Sequence, residues 1–484
     1  MFDRERQGQR TGERKTAEPI NTLRLAEGTQ QDKEGRRFRT TNIKTRSSAV
    51  VDRSSNMESF MFPPSHLDVF ITCLPGLESI LSLELKSLEI RHVKDVGGVR
   101  LIEPKIENIM ECHLFLGTAS NILLRCTSFV ARGLAELRRK TSNLPWRRIL
   151  KRNIRLEARV LAAKSKLYHT TAIRNRIFAG IYEALGYEVP DDGERIELPF
   201  IESETVVRLD IRVYHDNVEI SIDTSCTPVH KRGYRLETSK APLREDLAFA
   251  MLFAAGWLPA YHGESVNNLH SNHRYTHLLD PFCGSGTIVI EAAAMAAGLP
   301  PGRLRNAPFD GTRLQNPGKW RKLVNSSIPL KSMAIGKIIS ASDRDAGAVG
   351  TTIANSERAG VRSLIEVQRA ALASHPWLAD ADRAPTNLLI ASNPPFGKRI
   401  SRSRVRSAET GLLPLYQTLG HRLNRLIKSG RKVGTILLTN DLDTVRRTGL
   451  ADISVAFKSC HGGLDVFAML SPWPQDVSCS KDVA

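Results

Sequence analysis

At 484 residues the chain is longer than one hydrophobic core usually supports, so about two to four domains are expected, one of them large enough for a complete enzyme. A hydrophobic fraction of 41% with 25% charged residues excludes a wholly disordered or fibrous chain, and no run approaches the roughly twenty apolar residues of a membrane span. The net charge of +18 favours polyanionic partners, while seven scattered cysteines without a CxxC pair or a zinc-spaced Cys/His cluster exclude a disulfide scaffold and give no metal site.

Residues 1 to about 60 are rich in Arg, Gln, Glu, Thr and Ser, poor in aromatics and without sustained period, which predicts a disordered extension. An organelle transit peptide is disfavoured because the segment carries acids such as Asp3, Glu5, Glu13, Glu18 and Glu27. A cytoplasmic protein is expected, with mitochondrion or plastid as the alternative and Met57 as an alternative start.

Residues 66–235 read as a mixed α+β region. A strand is predicted at Val69–Thr72, a helix from about Gly76 to Leu88, and a second helix across Cys112 to Glu136. Ile154–Leu161 and Val206–Tyr214 are rich in β-branched residues, and Val218–Ile222 alternates as a half-buried strand does. Between them Thr170 or Thr171 opens a helix whose Ile173, Ile177, Ile181 and Leu185 share a face and which Gly186 ends. Arg132 to Arg176 holds fourteen basic residues, Arg147 and Arg148 among them, against two acidic ones, with Trp146 and Tyr168 interleaved. So one-signed an excess is read as a nucleic-acid face, against the plainer alternative of a solvated charged surface.

From 240 to 475 the pattern becomes strand, turn, helix, repeated: Leu278-Leu279 into a Gly turn, Ile338-Ile339 into Asp343, Leu388–Ile390 into Asn393, then Val433–Leu438. Such alternation predicts βαβ units on a parallel sheet.

Asp280-Pro281-Phe282-Cys283-Gly284-Ser285-Gly286-Thr287 follows an apolar strand and opens a helix from Thr287 to Ala297. Gly284 and Gly286 allow close approach of a ligand to the backbone and to the free N–H groups of a helix start. Gly-x-Gly alone would also suit a dinucleotide dehydrogenase. Asp280 before the glycines is poorly suited to a pyrophosphate but can face the ammonium of a methionine moiety, so S-adenosylmethionine is preferred. Asp343 stands where doubly wound folds bind ribose hydroxyls; capping the next helix is its other reading, which Asp345 suits better. Residues 299–334, inserted between these motifs, are expected to form a loop near the site. Cys283 reads as a small packed thiol rather than a nucleophile.

Asn393-Pro394-Pro395-Phe396 lies at a strand's carboxyl end, where open α/β sheets bind ligands. The exocyclic amine of a base is a poor nucleophile because its lone pair is delocalised into the ring. The Asn393 side-chain oxygen and the Pro394 carbonyl can accept its hydrogens and stabilise charge developing on nitrogen. The prolines pre-aim these acceptors, and Phe396 offers a face on which a flipped base stacks for about 1–3 kcal/mol. A rigid Pro-Pro turn that merely packs an aromatic is the bland alternative.

With these motifs placed, the chain resembles the THUMP-domain-containing RNA guanine-N2 methyltransferases, which modify large-subunit ribosomal RNA or tRNA. Pro75-Gly76-Leu77-Glu78 with Glu84-Leu85, Ala119 to Arg125, and Lys164-Ser165-Lys166-Leu167-Tyr168-His169-Thr170 are similar to the RNA-binding half of that family, and Asp223-Thr224-Ser225 with His230 to Arg235 to its end. Lys240-Ala241-Pro242-Leu243-Arg244-Glu245 resembles the segment beside the cofactor. The resemblance covers residues 66 to 470 and implies a ferredoxin-like and THUMP module (66–235), then a Rossmann-like class I methyltransferase (240–475) with a seven-stranded, mostly parallel sheet. It also implies S-adenosylmethionine as cofactor, held by Pro242, Leu243, Asp280, Phe282, Gly284, Ser285, Gly286, Thr287, Asp343 and Asn393. RNA, ribosomal rather than transfer, is the implied partner, held by Arg147, Arg148, Lys164, Lys166, Tyr168, His169, Lys231, Arg232 and Arg235.

The sequence departs from the pattern in three places. The family often carries an acid after its third strand toward adenine, and Arg369-Ala370-Ala371-Leu372 offers none. Phe396 replaces a tyrosine, and His461-Gly462-Gly463 stands where Asn-Gly is common. Rival readings are an amine methyltransferase acting on adenine N6 or on protein glutamine, and a non-catalytic RNA-binding factor.

Overall fold

The computed structural model describes residues 59–60, 67–190, 196–236, 242–257, 275–329, 338–395 and 408–472. The extension expected over 1–60 lies outside these residues, apart from the short strand β1 (Ser59–Phe60). Among the described residues no helix is long and apolar enough to cross a membrane.

The first half builds one sheet from two successive α+β units. β2 (Asp68–Cys73), α1 (Glu78–Ser87), β3 (His92–Asp95), β4 (Gly98–Leu101), α2 (Ile106–Phe115) and β5 (Ala119–Val130) form a ferredoxin-like unit. α3 (Leu134–Ser142), β6 (Arg155–Ala163), α4 (Thr170–Leu185), β7 (Val206–Tyr214) and β8 (Asn217–Asp223) extend it. The strand order is β3-β4-β2-β5-β8-β7-β6, with β1 also on β5; only the β6–β7 pair is parallel.

The expected helix over Cys112–Glu136 is instead the end of α2, the long strand β5 and the start of α3. β5 is the central strand, its backbone paired with β2 and β8 at once and its Ile122, Leu124 and Cys126 packed in the hydrophobic core with Leu81, Leu85, Ile109 and Met110 of α1 and α2. The break before it is fixed by Glu84, which accepts from the backbone N–H of Gly117 (2.5 Å) and Thr118 (3.1 Å). In α4 the apolar stripe Ile173, Ile177, Ile181 and Leu185 is buried, and Gly186 ends the helix at φ +90°, where a side chain would be strained.

The second half comprises α5 (Glu245–Ala254), β9 (His277–Asp280), α6 (Thr287–Ala296), α7 (Pro317–Ser327), β10 (Ile338–Asp343), α8 (Ala346–Arg358), β11 (Ile365–Arg369), α9 (Pro376–Ala379), β12 (Asn387–Ser392), α10 (Ala408–Lys428), β13 (Lys432–Thr439), α11 (Leu442–Arg446), β14 (Ser454–His461) and β15 (Leu464–Ser471). Its sheet runs β11-β10-β9-β12-β13-β15-β14; the first five strands are parallel, and β15 is antiparallel to both neighbours. Gly462 and Gly463, at φ +58° and +78°, form a two-residue hairpin turn of the twist that suits β14–β15.

The insertion does not loop over the site. Its described part, 299–329, clamps the first half onto the second: Phe309 N–H donates to Thr224 O (2.9 Å), Lys151 N–H to Gly311 O (3.0 Å), Gly302 N–H to Leu114 O (2.8 Å) and Arg313 N–H to Ile149 O (2.8 Å). The half-buried Arg305 reaches across to the carbonyls of Ser225 (3.1 Å) and Thr227 (2.7 Å). Backbone-to-backbone bonds of this number leave the two halves as parts of one packed body.

Candidate active site

Strand ends create the site. β9 finishes on Asp280, and the chain turns through Pro281–Gly286 into α6. The turn is tied by Cys283 N–H to Ser342 O (3.0 Å), and α8 holds its outer side through Thr352 Oγ1 to Gly284 O (2.9 Å) and Asn355 Nδ2 to Ser285 O (3.0 Å). Its glycines serve different ends. At Gly286 (φ +83°) a Cβ would stand 2.8 Å from Thr352 Cγ2, so helix packing requires glycine. At Gly284 (φ +55°) a Cβ would meet nothing within 4 Å, since that position faces open space.

The space is a cavity of about 830 Å³, within the range of small-ligand sites. Pro242, Leu243, Asp280, Phe282, Gly284, Ser285, Thr287, Asp343, Asn393, Pro394 and Pro395 all line it. Gly286 lies beneath as the N-cap of α6, and Phe396 is outside the described residues.

Asp280 is 2% exposed; its Oδ1 accepts from Ser392 Oγ (2.5 Å) and Phe282 N–H (3.1 Å). Burial, with a smaller contribution from Asp343, pushes its carboxyl up to about 7, and among the described residues no positive charge offsets this. Such a carboxylate is set to receive a cation. Asp343 is aimed by two backbone donors, Gly284 N–H to Oδ2 (3.1 Å) and Asp345 N–H to Oδ1 (3.0 Å). The cap of α8 is Asp345, whose Oδ1 accepts from Gly347 N–H (2.9 Å).

Asn393 follows β12 directly. Its Oδ1 is buried and has no hydrogen-bond partner among the described residues, while Pro394 is buried and Pro395 exposed. Leaving such an acceptor unmet costs about 1–3 kcal/mol, so an N–H donor from a ligand is the group it suits. Cys283 is packed against Thr352 Oγ1 (3.5 Å), and burial raises its thiol far above ordinary values, which removes it as a nucleophile.

The sequence pattern missed two parts of this site: Ser392, which aligns Asp280, and Leu412, Pro414, Leu415 and Thr418 of α10, which form one wall. The turn Ala370–Ala373, noted in the sequence only for lacking an acid, forms another. Ser392 and the alanines carry no motif; α10 lies far along the chain and only the fold returns it here.

The basic residues divide. Arg148, Lys164, Lys166, Tyr168, His169 and Lys231 are exposed, with Lys164 Nζ over the Tyr214 ring at 5.6 Å. Arg147 is exposed but bonded to Ala184 O (2.7 Å). Arg232 and Arg235 are not surface residues. Arg232 is 2% exposed and holds Gly117 O (2.6 Å) and Glu291 (3.4 Å), while Arg235 reaches Thr287 Oγ1 (2.8 Å) and Glu245 (3.4 Å). Trp146, read as an aromatic of the face, is fully buried, donating to Thr141 O (2.9 Å).

A Gly turn after β9, an acid closing β10 and Asn-Pro-Pro closing β12 on this sheet define a class I methyltransferase fold. Residues 232–456 match the family described as RMKL-like, methyltransferase domain; residues 68–123 match the RlmL ferredoxin-like domain. Among curated relatives, "Ribosomal RNA large subunit methyltransferase K/L" of Legionella pneumophila (strain Lens) is 31% identical over 363 residues, 74% of this chain and 46% of the relative. The protein of that name from Marinomonas sp. (strain MWYL1) is 28% identical over 357 residues, 72% of this chain and 45% of its own length. The chain thus spans about half the length of the curated relatives it matches. A possible methylase from Clostridium difficile 630 superposes with TM-score 0.67 at 25% identity, covering 85% of this chain and all of that one. TrmN from Thermus thermophilus shares the fold, with TM-score 0.54 at 19% identity over 84% of this chain and all of that one.

Proposed function

We propose that this protein is an S-adenosylmethionine-dependent methyltransferase acting on the exocyclic N2 amine of a guanosine in RNA, with large-subunit ribosomal RNA as the substrate. The observation that carries this reading is the buried Asn393 Oδ1 at the carboxyl end of β12, without a hydrogen-bond partner among the described residues, in a cavity that Asp280 and Asp343 also line. The curated relatives' names favour ribosomal RNA, and the exposed Arg148, Lys164, Lys166, Tyr168, His169 and Lys231 favour a polyanion.

The residues present fit the cofactor. Asp280 would face its ammonium, Asp343 its ribose hydroxyls, and Gly284 leaves room for close approach. When bound, S-adenosylmethionine supplies an electrophilic methyl group. Asn393 Oδ1 and the Pro394 carbonyl accept the two hydrogens of the substrate amine, orient its lone pair and stabilise positive charge as it grows on nitrogen. Because both acceptors directly follow β12 and Pro394 and Pro395 restrict the turn that carries them, little reorganisation accompanies transfer and no strong base is needed. Ser392 and the Phe282 N–H hold the Asp280 carboxylate in place.

The test is Asn393→Ala, assayed for transfer of labelled methyl to unmodified ribosomal RNA and, separately, for S-adenosylhomocysteine binding. Transfer should fall at least a hundredfold with binding kept, in line with loss of a fixed donor or acceptor at a charge-developing atom. Retained transfer would refute the role of Asn393.

A further inference from the structure

The strand order sets three carboxyl ends side by side. β9 ends on Asp280, its neighbour β10 on Asp343, and the next strand β11 on Arg369, followed by Ala370-Ala371-Leu372-Ala373. Neighbouring strands stand roughly 4.8 Å apart, so groups bound at these ends succeed one another along a line across the mouth of the sheet. With an amino-acid end at Asp280 and a ribose at Asp343, the base falls to the end of β11, and all four residues of that turn line the cavity.

The side chains of that wall have nothing with which to read an amine. Its side chains are three methyl groups and one isobutyl group. The Ala370 N–H donates to Asp343 O (3.0 Å) and the Ala371 N–H to Ser374 Oγ (3.1 Å), while the Ala371 carbonyl accepts from Ser374 N–H (3.0 Å) and His375 N–H (3.1 Å). His375, 1% exposed, has its Nδ1 on Trp377 N–H (3.3 Å) and its Nε2 on Ser340 Oγ (3.3 Å). The guanidinium of Arg369 is turned to Arg344 O (3.2 Å). Of the acids on the cavity, Asp280, Asp343 and Asp345 all belong to β9, β10 and the cap of α8.

We infer that the turn Ala370–Ala373 holds the purine of the cofactor by shape and apolar contact, with no side-chain acceptor for its 6-amine, so that the site accepts purines without that amine. This rests on the reading of the cavity as an S-adenosylmethionine site. A site built to hydrogen-bond an N–H rejects the analogue lacking it by about ten-thousandfold or more, whereas an apolar pocket separates near-isosteres by roughly 10–200-fold. The difference is large enough to decide by binding alone.

The experiment is calorimetric titration of the full chain with S-adenosylhomocysteine and with its purine-riboside counterpart, in which hydrogen replaces the 6-amine. The inference expects the two affinities to agree within about 200-fold, and a larger gap overturns it. Ala371→Asp supplies the missing acceptor and should widen the gap at least tenfold, the worth of one hydrogen bond to a charged group. A variant that binds S-adenosylhomocysteine with no wider gap would show that the base lies elsewhere and overturn the inference too. Failure of wild-type protein to bind S-adenosylhomocysteine at all would instead sink the cofactor reading beneath it.

Discussion

The Asp280 carboxyl makes cofactor binding depend on pH in a definite direction. Burial raises it from an ordinary carboxylate to about 7, with Asp343 adding repulsion, and only the ionised form can receive an ammonium. One pH unit below that value about one carboxyl in eleven is ionised, and one unit above about ten in eleven, so affinity for S-adenosylhomocysteine should rise roughly tenfold from pH 6 to pH 8. Near and below pH 7 binding should also release up to one proton, because the bound cation favours ionisation. The same group opposes folding in the opposite sense. A folded value above the unfolded one favours the protonated protein, so this carboxyl's contribution to stability is full below about pH 4 and lost as pH rises through 7. Thermal stabilisation by the cofactor should therefore grow over pH 6–8. Calorimetry at pH 6, 7 and 8 in two buffers of different ionisation heat measures affinity and proton release together. Asp280→Asn should flatten the profile and weaken binding by roughly 10–150-fold, the worth of a hydrogen bond to a charged group. A flat wild-type profile, or tighter binding on acidification, would refute the reasoning.

Three further outcomes follow from geometry. Arg232→Met leaves Glu291 buried without its cation and should lower unfolding stability by about 3–5 kcal/mol in urea denaturation. If stability held while RNA affinity fell, the surface role expected from the sequence would return. Lys164→Ala and Lys166→Ala should each reduce the slope of log affinity against log salt by about 0.7–0.9 in RNA titrations, and an unchanged slope would place the RNA elsewhere. Gly286→Ala combines a left-handed backbone with a contact on Thr352, so it should lower the melting temperature and cofactor affinity together; wild-type values for both would contradict the packing described.

The parallel half was legible because its grammar is local. A short apolar run closed by Asp or by Asn-Pro-Pro marks β9, β10 and β12, and the chemistry of this fold sits at those junctions. β5 was misread because the consecutive apolar residues Ile122, Leu123 and Leu124 break the alternation that identifies a strand. Arg232, Arg235 and Trp146 carry the composition of a binding surface, yet long-range partners decide their fate. Glu291 lies 59 residues from Arg232, and Thr287 lies 52 from Arg235. The insertion was misplaced for the same reason, since its partners Ile149, Lys151 and Thr224 stand far earlier in the chain. Asp280, Asp343 and Asn393 were found as motifs, whereas the apolar turn Ala370–Ala373 acquires meaning only from its place at the end of β11.

The central claim is the identity of the methylated atom. Purified protein, labelled S-adenosylmethionine and unmodified large-subunit ribosomal RNA should yield, after digestion to nucleosides and mass spectrometry, N2-methylguanosine as the labelled product. Label in N6-methyladenosine or in protein, with none in guanosine, would contradict the account.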